Sequence, residues 1–220
     1  MRTSFFAILS ALAITACTTD YYEKGEGEYS TLQGDFVEAH ANAELKIDYI
    51  KTDNDELIGM TTPVSKSWIT KADSMYRSVV YYKKEGATAS IESIVQIPVA
   101  VILPTKEVAK RMKRLNDPLT LESAWISKNK RFLNISLYVK SGATEDSNAT
   151  QRLGIANDST KSINGKVTWH LRVCHDQGEV PEYYSEQTYF SLPLYKINAD
   201  SLVLTFNTYD GVVTKQFSLR

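Results

Sequence analysis

The sequence predicts an all-β protein, in which a small OB-like β-barrel is followed by an antiparallel β-sandwich and a short helix joins the two. Three observations support this prediction. Apolar and polar residues alternate over 37–49, many short strand-like runs separated by turn residues follow, and one stretch, 105–115, has helical spacing. Strict alternation is typical of a half-buried strand, and short strands at regular intervals are typical of barrels and sandwiches.

The N-terminal residues have the order of an export signal. Met1-Arg2 precedes an apolar run over 5–14, and small residues then lead to Cys17. This run is shorter than the roughly 20 apolar residues that span a membrane. Residues 1–16 are therefore predicted to form a signal peptide that is removed.

The four residues Ile14-Thr15-Ala16-Cys17 resemble the lipobox of bacterial lipoproteins. The resemblance implies that Cys17 is lipidated and becomes the mature N-terminus, although an ordinary signal with an incidental cysteine nearby is the alternative. Lipidation would hold the protein at a membrane surface. We therefore expect an exported protein anchored to the cell envelope, at the outer membrane or cell surface, with the inner membrane as the alternative.

Charge and cysteine content limit the partners and the covalent links. The chain has 25 basic and 26 acidic side chains and no clustered basic segment that would suit a phosphate backbone, so nucleic acid is not expected as a partner. Its two cysteines are Cys17 and Cys174. If lipid modifies the first, no intramolecular disulfide can form, and packing alone must stabilise the fold.

Residues 17–34 are predicted to be a lipidated tether, because this glycine-containing stretch lacks sustained apolar periodicity. The OB-like barrel is assigned to 35–104. Its predicted strands cover 37–49, 56–64, 76–83 and 89–103, with a turn at 53–55 and an interruption at Pro98, which cannot donate to a strand ladder.

Residues 105–118 are predicted to form a helical linker, with Thr105 as N-cap and Val108, Met112 and Leu115 on one face. Four cations of this helix are interpreted as a solvated face, with contact to lipid phosphate as the alternative. They are Lys106, Lys110, Lys113 and Arg114.

The β-sandwich is assigned to 119–220, where seven strand-like runs follow one another and Tyr209-Asp210-Gly211 gives a hairpin signal. The runs are 121–127, 131–140, 151–156, 166–175, 187–194, 201–207 and 212–219.

This second half contains the short motifs Asp117-Pro118-Leu119, Trp125-Ile126, Leu133-Asn134-Ile135 and Leu171-Arg172-Val173-Cys174-His175. Together they resemble the pattern of the NigD-like lipoproteins of Bacteroides-type bacteria. The resemblance implies an N-terminal OB-like domain and a C-terminal β-sandwich behind a lipobox. The chain departs from the family pattern at Cys174, where a polar residue is expected. The resemblance implies no catalytic or ligand-binding residues.

No constellation of residues specifies a reaction. His170 stands about 13 Å from Cys174 along the same predicted strand, which is too far for proton transfer, so a packed or partly exposed thiol is expected. His40 is interpreted as an exposed strand histidine and Asp53-Asn54-Asp55-Glu56 as a hairpin turn, not as metal or calcium ligands. The pair Glu182 and Glu186 is expected by chance in an acidic segment. We therefore predict no catalytic residues, no metal and no cofactor.

Three Asp-Ser pairs resemble the short acceptor motif for O-glycosylation in Bacteroides-type bacteria. The acceptors would be Ser74, Ser159 and Ser201, of which the first two are expected in loops. Asp-Ser is also ordinary turn chemistry, and this alternative stays open.

The segment 180–186 is predicted to carry a ligand-binding surface, because adjacent residues of an extended chain cannot both face inward and at least one of Tyr183 and Tyr184 must be exposed. Packing over the sandwich edge is the alternative. The sequence thus favours a non-catalytic envelope module that binds a glycan, peptide or protein. An accessory envelope enzyme acting on glycans and a structural or immunity-type lipoprotein are the alternatives.

Overall fold

The structure, a computed structural model, describes residues 31–145 and 149–220, so the predicted signal peptide and Cys17 lie outside the described residues. Leu32–Arg220 is one compact unit. Its elements are β1 (Leu32–Ala41), β2 (Lys46–Thr52), β3 (Leu57–Ser65), β4 (Ser74–Glu85), β5 (Thr88–Gln96), β6 (Ile102–Pro104), α1 (Thr105–Ala109), β7 (Thr120–Ile126), β8 (Phe132–Ser141), β9 (Arg152–Ile163), β10 (Lys166–Asp176), β11 (Tyr184–Pro193), a 3₁₀ turn (Leu194–Lys196), β12 (Ser201–Thr208) and β13 (Gly211–Ser218).

Strands β1 to β5 form a closed barrel in the order β1-β2-β3-β5-β4, which closes by antiparallel pairing of β1 with β4. Strands β3 and β5 meet as a short parallel pair. This five-stranded closure agrees with the predicted OB-like barrel. Alternate residues fill the interior, because successive side chains of a strand point to opposite faces. They include Val37, Ala39, Ala41, Ile47, Ile50, Val80 and Tyr82.

The single long strand predicted over 37–49 is wrong, since the chain turns at Asn42 and continues as β2. The Asn42 side-chain oxygen accepts hydrogen bonds from the backbone N–H groups of Glu44 at 2.9 Å and Lys46 at 3.0 Å. Leu45 adopts a φ of 59°, in the left-handed region. Asparagine stabilises such turns through its own side chain, so the alternating pattern continues through a hairpin.

Strands β6 to β13 form two packed sheets, one of five strands in the order β13-β12-β10-β9-β6 and one of three in the order β11-β8-β7. The sandwich is not purely antiparallel as predicted, because β10 pairs with β12 and β6 with β9 in parallel. The chain leaves the larger sheet after β10, forms β11 in the other sheet and returns as β12. The core between the sheets includes Leu133, Ile135, Leu137, Leu171, Leu192, Leu202, Leu204 and Phe206.

Three segment boundaries differ from the sequence assignment. Strand β6, which was assigned to the barrel, pairs with β9 in the larger sheet of the sandwich. Strand β1 begins at Leu32, inside the predicted tether, and pairs with Lys83. The helix α1 covers Thr105–Ala109 alone, with Pro104 as N-cap residue, instead of reaching residue 115. Thr105 does not cap the helix, because its hydroxyl donates to Asp158 Oδ1 at 2.7 Å. Within the described residues, no helix is both long enough and apolar enough to cross a membrane.

Barrel and sandwich are joined by buried polar contacts around Arg77 of β4. Its guanidinium donates to Asn134 on β8 at 2.8 Å and to Ser191 on β11 at 3.1 Å. The segment that leads from the barrel to the sandwich is also bound to β11, because the Ala100 N–H donates a hydrogen bond to the Ser191 carbonyl oxygen at 2.9 Å. The all-β class is confirmed, with a barrel followed by a sandwich. The short helix does not join the two as predicted, because α1 follows β6, which is already a strand of the sandwich.

Candidate functional site

Tyr183 and Tyr184 project from the segment between β10 and β11, at one end of the sandwich. Their side chains are 79% and 54% exposed, so the prediction that at least one is exposed is confirmed for both. Tyr184 is the first residue of β11 and pairs with Ser141, whereas Tyr183 precedes the strand. Two adjacent aromatic rings therefore face solvent where the sandwich strands end.

The same end of the sandwich contains a polar pocket of about 390 Å³, here called the loop-end pocket. Three segments that are distant in sequence form it: the turn after α1, the β10–β11 loop and the tip of the β12–β13 hairpin. Loops at one end of a sandwich are common binding surfaces, because a rigid scaffold positions them. The lining residues are Arg114, Asp117, Pro118, Gln177, Gly178, Glu179, Val180, Pro181, Glu182 and Tyr209.

The buried carboxylate of Asp176 fixes two of these segments. It accepts a hydrogen bond from the backbone N–H of Lys113 at 2.7 Å and another from Gly178 at 3.1 Å. Burial by itself would raise the pKa of Asp176, but these backbone donors and the positive charge of Arg114 hold that pKa below its usual value. The pocket walls are therefore tied to the end of β10 by a charged group.

Arg114 and Asp117 form one wall of the pocket. Arg114 Nε lies 3.0 Å from Asp117 Oδ2, and its Nη2 donates to the Gly178 carbonyl at 2.6 Å. The Asp117 carboxylate also accepts from the Gln177 N–H at 2.7 Å. The buried His175 supports this wall, because its Nδ1 lies 3.1 Å from the Pro118 carbonyl oxygen. The guanidinium is thus held at a fixed position on the wall.

The β10–β11 loop is ordered by its own contacts with β8. Gln177 is buried, and its side-chain amide donates to the carbonyls of Lys140 and Val180, both at 2.9 Å. A Cβ added at Gly142 would lie 2.8 Å from the Tyr183 ring, so glycine there lets the ring approach the end of β8. The exposed rings therefore stand on a rigid loop, which lowers the entropy cost of binding.

Tyr209 and Glu182 meet across the pocket mouth, where the Tyr209 hydroxyl donates to Glu182 Oε2 at 3.4 Å. Burial raises the pKa of Tyr209, and the nearby Glu182 charge adds to the shift. The hydroxyl therefore stays protonated at neutral pH and remains a donor. The pocket presents a guanidinium, a phenol and carboxylates, the donors and acceptors with which hydroxyl-rich ligands form hydrogen bonds.

Cys174 and the histidines do not form a catalytic pair in the structure. Cys174 is fully buried between Val108 and Ala156, and this burial raises the pKa of its thiol. A buried thiol with a raised pKa is a poor nucleophile. His175 is buried, and its Nδ1 also faces the Asp117 carbonyl oxygen at 3.2 Å, while His170 lies in β10 opposite Ser159.

His40 and Asp53 are engaged in contacts within the fold. His40 is half-buried and not simply exposed as expected: its Nδ1 lies 2.7 Å from Asp48, and its ring stacks on Tyr49 with centroids 4.4 Å apart. The Asp53 carboxylate accepts from Arg77 and Asn134. The part of the chain that the structure describes contains no group of three His, Cys, Asp or Glu side chains placed to hold a metal ion.

The three Asp-Ser acceptors lie in strands, so the expectation of loops at Ser74 and Ser159 is wrong. Ser74 begins β4, and its hydroxyl donates to the Ala72 carbonyl at 3.0 Å. Ser159 is exposed within β9, which extends to Ile163 because it pairs with β10 along its whole length. Ser201 begins β12, and its hydroxyl lies 2.8 Å from that of Thr168. Modification of these residues stays a prediction.

Sequence reasoning located one part of this site and missed the others. Arg114, Asp117 and Tyr209 join Glu182 because strands from distant parts of the chain end together, and no local spacing shows that. The only available signal was the hairpin at Tyr209, whose tip must lie at an end of the sandwich.

Solved structures of Bacteroides proteins have the same fold. A NigD-like immunity protein from Bacteroides caccae matches with a TM-score of 0.67 at 21% identity, covering 84% of this chain and 96% of that one. A protein of unknown function from Bacteroides vulgatus matches with a TM-score of 0.61 at 15% identity, covering 86% and 90%.

A third solved structure is a protein from Bacteroides fragilis described as a candidate lipoprotein, with a TM-score of 0.58 at 9% identity, covering 86% of this chain and 98% of that one. No family model and no curated protein matches the chain. These structures show that the chain has the fold of NigD-like proteins, which confirms the resemblance at the level of fold.

Proposed function

We propose that this protein is a lipid-anchored member of the NigD-like group, exported to the cell envelope, whose loop-end pocket binds a glycan without altering it. The observation that carries the proposal is the convergence of a polar pocket and exposed tyrosines at one end of a rigid sandwich. The lipid on Cys17 would hold the body at the outer membrane or cell surface, with the residues before β1 as the tether.

Two observations support the anchoring. The residues around Cys17 have the order of a lipobox behind a short apolar run, and one protein with the same fold is described as a candidate lipoprotein. Lipid attachment provides stable membrane binding when two or more acyl chains are present. A compact β-rich body behind such an anchor needs no membrane-spanning segment of its own.

The chemistry of the loop-end pocket supports a glycan. Tyrosine rings stack on the flat apolar faces of sugars, and they lose little rotamer entropy when they do so. Hydroxyl groups of a sugar both donate and accept, which matches the guanidinium of Arg114 and the carboxylate of Glu182. Tyr183 and Tyr184 follow Glu182 directly in the chain, so stacking surface and hydrogen-bonding groups are neighbours.

A protein partner is the second candidate, because the solved structure from Bacteroides caccae is described as a NigD-like immunity protein. Exposed tyrosines are also frequent in protein interfaces. An accessory enzyme acting on glycans is the third candidate, since Asp117, Glu179 and Glu182 line the same pocket. Binding and turnover measurements on soluble polysaccharides separate the three.

The test is calorimetric titration of the purified protein with soluble peptidoglycan fragments, mannan and mucin O-glycans. Glu182→Gln is compared with Glu186→Gln, a matched control on β11 outside the pocket. For a bound glycan we expect about tenfold weaker binding by Glu182→Gln, because the charge that strengthens its hydrogen bond to the glycan is lost, and unchanged binding by the control.

The recovered glycans should be unchanged in length, since the proposed role is binding. Shortened or modified glycans would show an enzyme. Equal affinity of the two variants, or no binding of any of these glycans, would contradict a glycan in this pocket.

A further inference from the structure

A second pocket of about 390 Å³ opens on the side of the sandwich, at the edge formed by β6 and β11. We call it the side slot. Strand β6 begins at Ile102, opposite Ile155 of β9, so Leu153 and Gly154 have a neighbouring strand only on the β10 side. The slot lies at this open edge, between the two sheets and next to α1. It is separate from the loop-end pocket and shares no lining residue with it.

The lining of the side slot is almost entirely aliphatic and aromatic. Val99 and Val101 stand at its rim on the segment that crosses from barrel to sandwich, and Val101 is 69% exposed. Met112 and Leu153 line it further in, and Met112 fills the space that a Cβ on Gly154 would occupy. Apolar side chains left uncovered around a concave opening are typical of binding sites. Methionine adapts its shape to such ligands.

One cation borders this apolar lining. Arg111 follows α1 and is exposed, and among the described residues no carboxylate lies within salt-bridge distance of it. The cations of the same segment at Lys110 and Arg114 are paired, with Glu107 and Asp117 respectively. A free guanidinium beside an apolar slot complements a ligand with an aliphatic chain and an anionic end, because guanidinium binds carboxylate through two parallel hydrogen bonds.

We propose that the side slot binds the chain of a free fatty acid, with the carboxylate at Arg111 and the chain against Val99, Val101 and Met112. A methylene group takes about as much space as a water molecule, about 30 Å³. The slot volume of about 390 Å³ corresponds to about thirteen such groups. Because part of this volume lies at the open mouth, the slot accommodates fewer, a chain of roughly ten carbons. Each methylene that enters the slot should strengthen binding about three- to fourfold until the slot is full.

The experiment titrates the purified protein, stripped of bound lipid, with hexanoate, octanoate, decanoate and dodecanoate, and follows the methyl signals of Val101, Met112 and Val212 by NMR. Affinity should rise with chain length up to about ten carbons and then level off. The Val101 and Met112 signals should move, while Val212 at the β12–β13 hairpin should not. Affinity independent of chain length, or shifts at Val212 alone, would overturn the proposal.

Two matched pairs of variants test the parts of the site. Arg111→Gln should weaken decanoate binding about three- to tenfold and leave decanol binding unchanged, whereas Lys106→Gln, an exposed cation of α1 outside the slot, should change neither. Val101→Asp should abolish decanoate binding, whereas Val212→Asp, at an equally exposed valine, should not. Equal loss for decanol and decanoate in Arg111→Gln would show that the cation is not the carboxylate site.

The other possible occupants of the slot are also tested. Dimerisation of the wild-type chain that Val101→Asp abolishes would show a second copy of the protein in the slot. Decanoate binding that appears only in the unlipidated protein would show the N-terminal lipid there. Either result would contradict the proposal of a free fatty acid.

Discussion

Arg77 and Asp53 form a bidentate pair, with Nη1 at 2.7 Å from Oδ1 and Nη2 at 2.7 Å from Oδ2. The Arg77 guanidinium also lies over the Phe132 ring at 4.1 Å from its centroid. Because Asn134 and Ser191 of the sandwich complete the hydrogen bonds of this pair, the barrel and the sandwich share one buried polar cluster. Loss of the Asp53 carboxylate would leave the buried Arg77 charge without its counter-charge.

We predict that Asp53→Ala lowers the free energy of unfolding by about 3–5 kcal/mol, because it leaves the buried Arg77 charge uncompensated. Asp55→Ala is the matched control, since Asp55 lies two residues after Asp53 and pairs with Lys51 on the surface. Its effect should be much smaller, because exposed ion pairs contribute little. Urea unfolding of both variants measures the difference, and equal losses would show that the Arg77 cluster does not stabilise the fold.

Gly178→Ala is predicted to disturb the loop-end pocket. Gly178 has a φ of 60°, and a Cβ there would lie 2.3 Å from the Thr150 carbonyl oxygen. Gly86→Ala is the control, because Gly86 has a φ of 63° and open space around its Cβ position. The control should lower the free energy of unfolding by about 1 kcal/mol, through the backbone conformation alone. Gly178→Ala should lower it clearly more, because the added Cβ also meets the Thr150 carbonyl oxygen. Thermal unfolding compares them, and similar costs would contradict the steric account.

The charge of Asp176 is predicted to stabilise the folded state above about pH 4. Its pKa is lowered in the folded protein, so the folded state binds fewer protons than the unfolded chain as the pH falls. This stabilisation is therefore fully present above the usual carboxyl pKa and is lost as the pH falls through the folded value. The difference in Tm between the wild type and Asp176→Asn should be largest near pH 6 and should shrink below pH 4. A difference independent of pH would show that the charge has no role.

Cys17→Ser is predicted to abolish membrane attachment, because the apolar run over 5–14 is too short to span a bilayer. Cells that produce each form are labelled with radioactive palmitate and then fractionated. The wild type should carry label and sediment with membranes, whereas the variant should do neither. Equal incorporation of label in both forms would rule out lipidation at this cysteine.

The barrel was predictable from the sequence because each of its strands buries one face, so residues such as Val37 and Ala39 alternate with polar ones. The end of β1 was not predictable in this way. Asn42 occupies a polar position of the same alternation, and only its hydrogen bonds to Glu44 and Lys46 reveal the turn. Periodicity shows which face of a strand is buried. A hairpin through which apolar and polar residues keep alternating cannot be recognised from that periodicity.

The early end of α1 has a cause that lies far away in the sequence. The Lys113 N–H, which would continue a helix, donates instead to the Asp176 carboxylate 63 residues later. The same contact holds one wall of the loop-end pocket in place. One long-range contact therefore explains both the wrong helix end and the failure to predict Arg114 and Asp117 as site residues. The exposure of at least one of Tyr183 and Tyr184 was predictable, because adjacent residues of an extended chain face opposite sides.

The most direct test of the proposed function is the double variant Tyr183→Ala, Tyr184→Ala. Binding to the peptidoglycan fragments, mannan and mucin O-glycans is measured together with thermal melting, and Tyr195→Ala, an exposed tyrosine outside the pocket, is the control. We predict at least about tenfold weaker glycan binding with a Tm within about 2 °C of the wild type, because both rings are exposed and contribute little to packing. A Tm lowered by several degrees with unchanged glycan binding would show that the tyrosines serve packing and would contradict a recognition surface at this end of the sandwich.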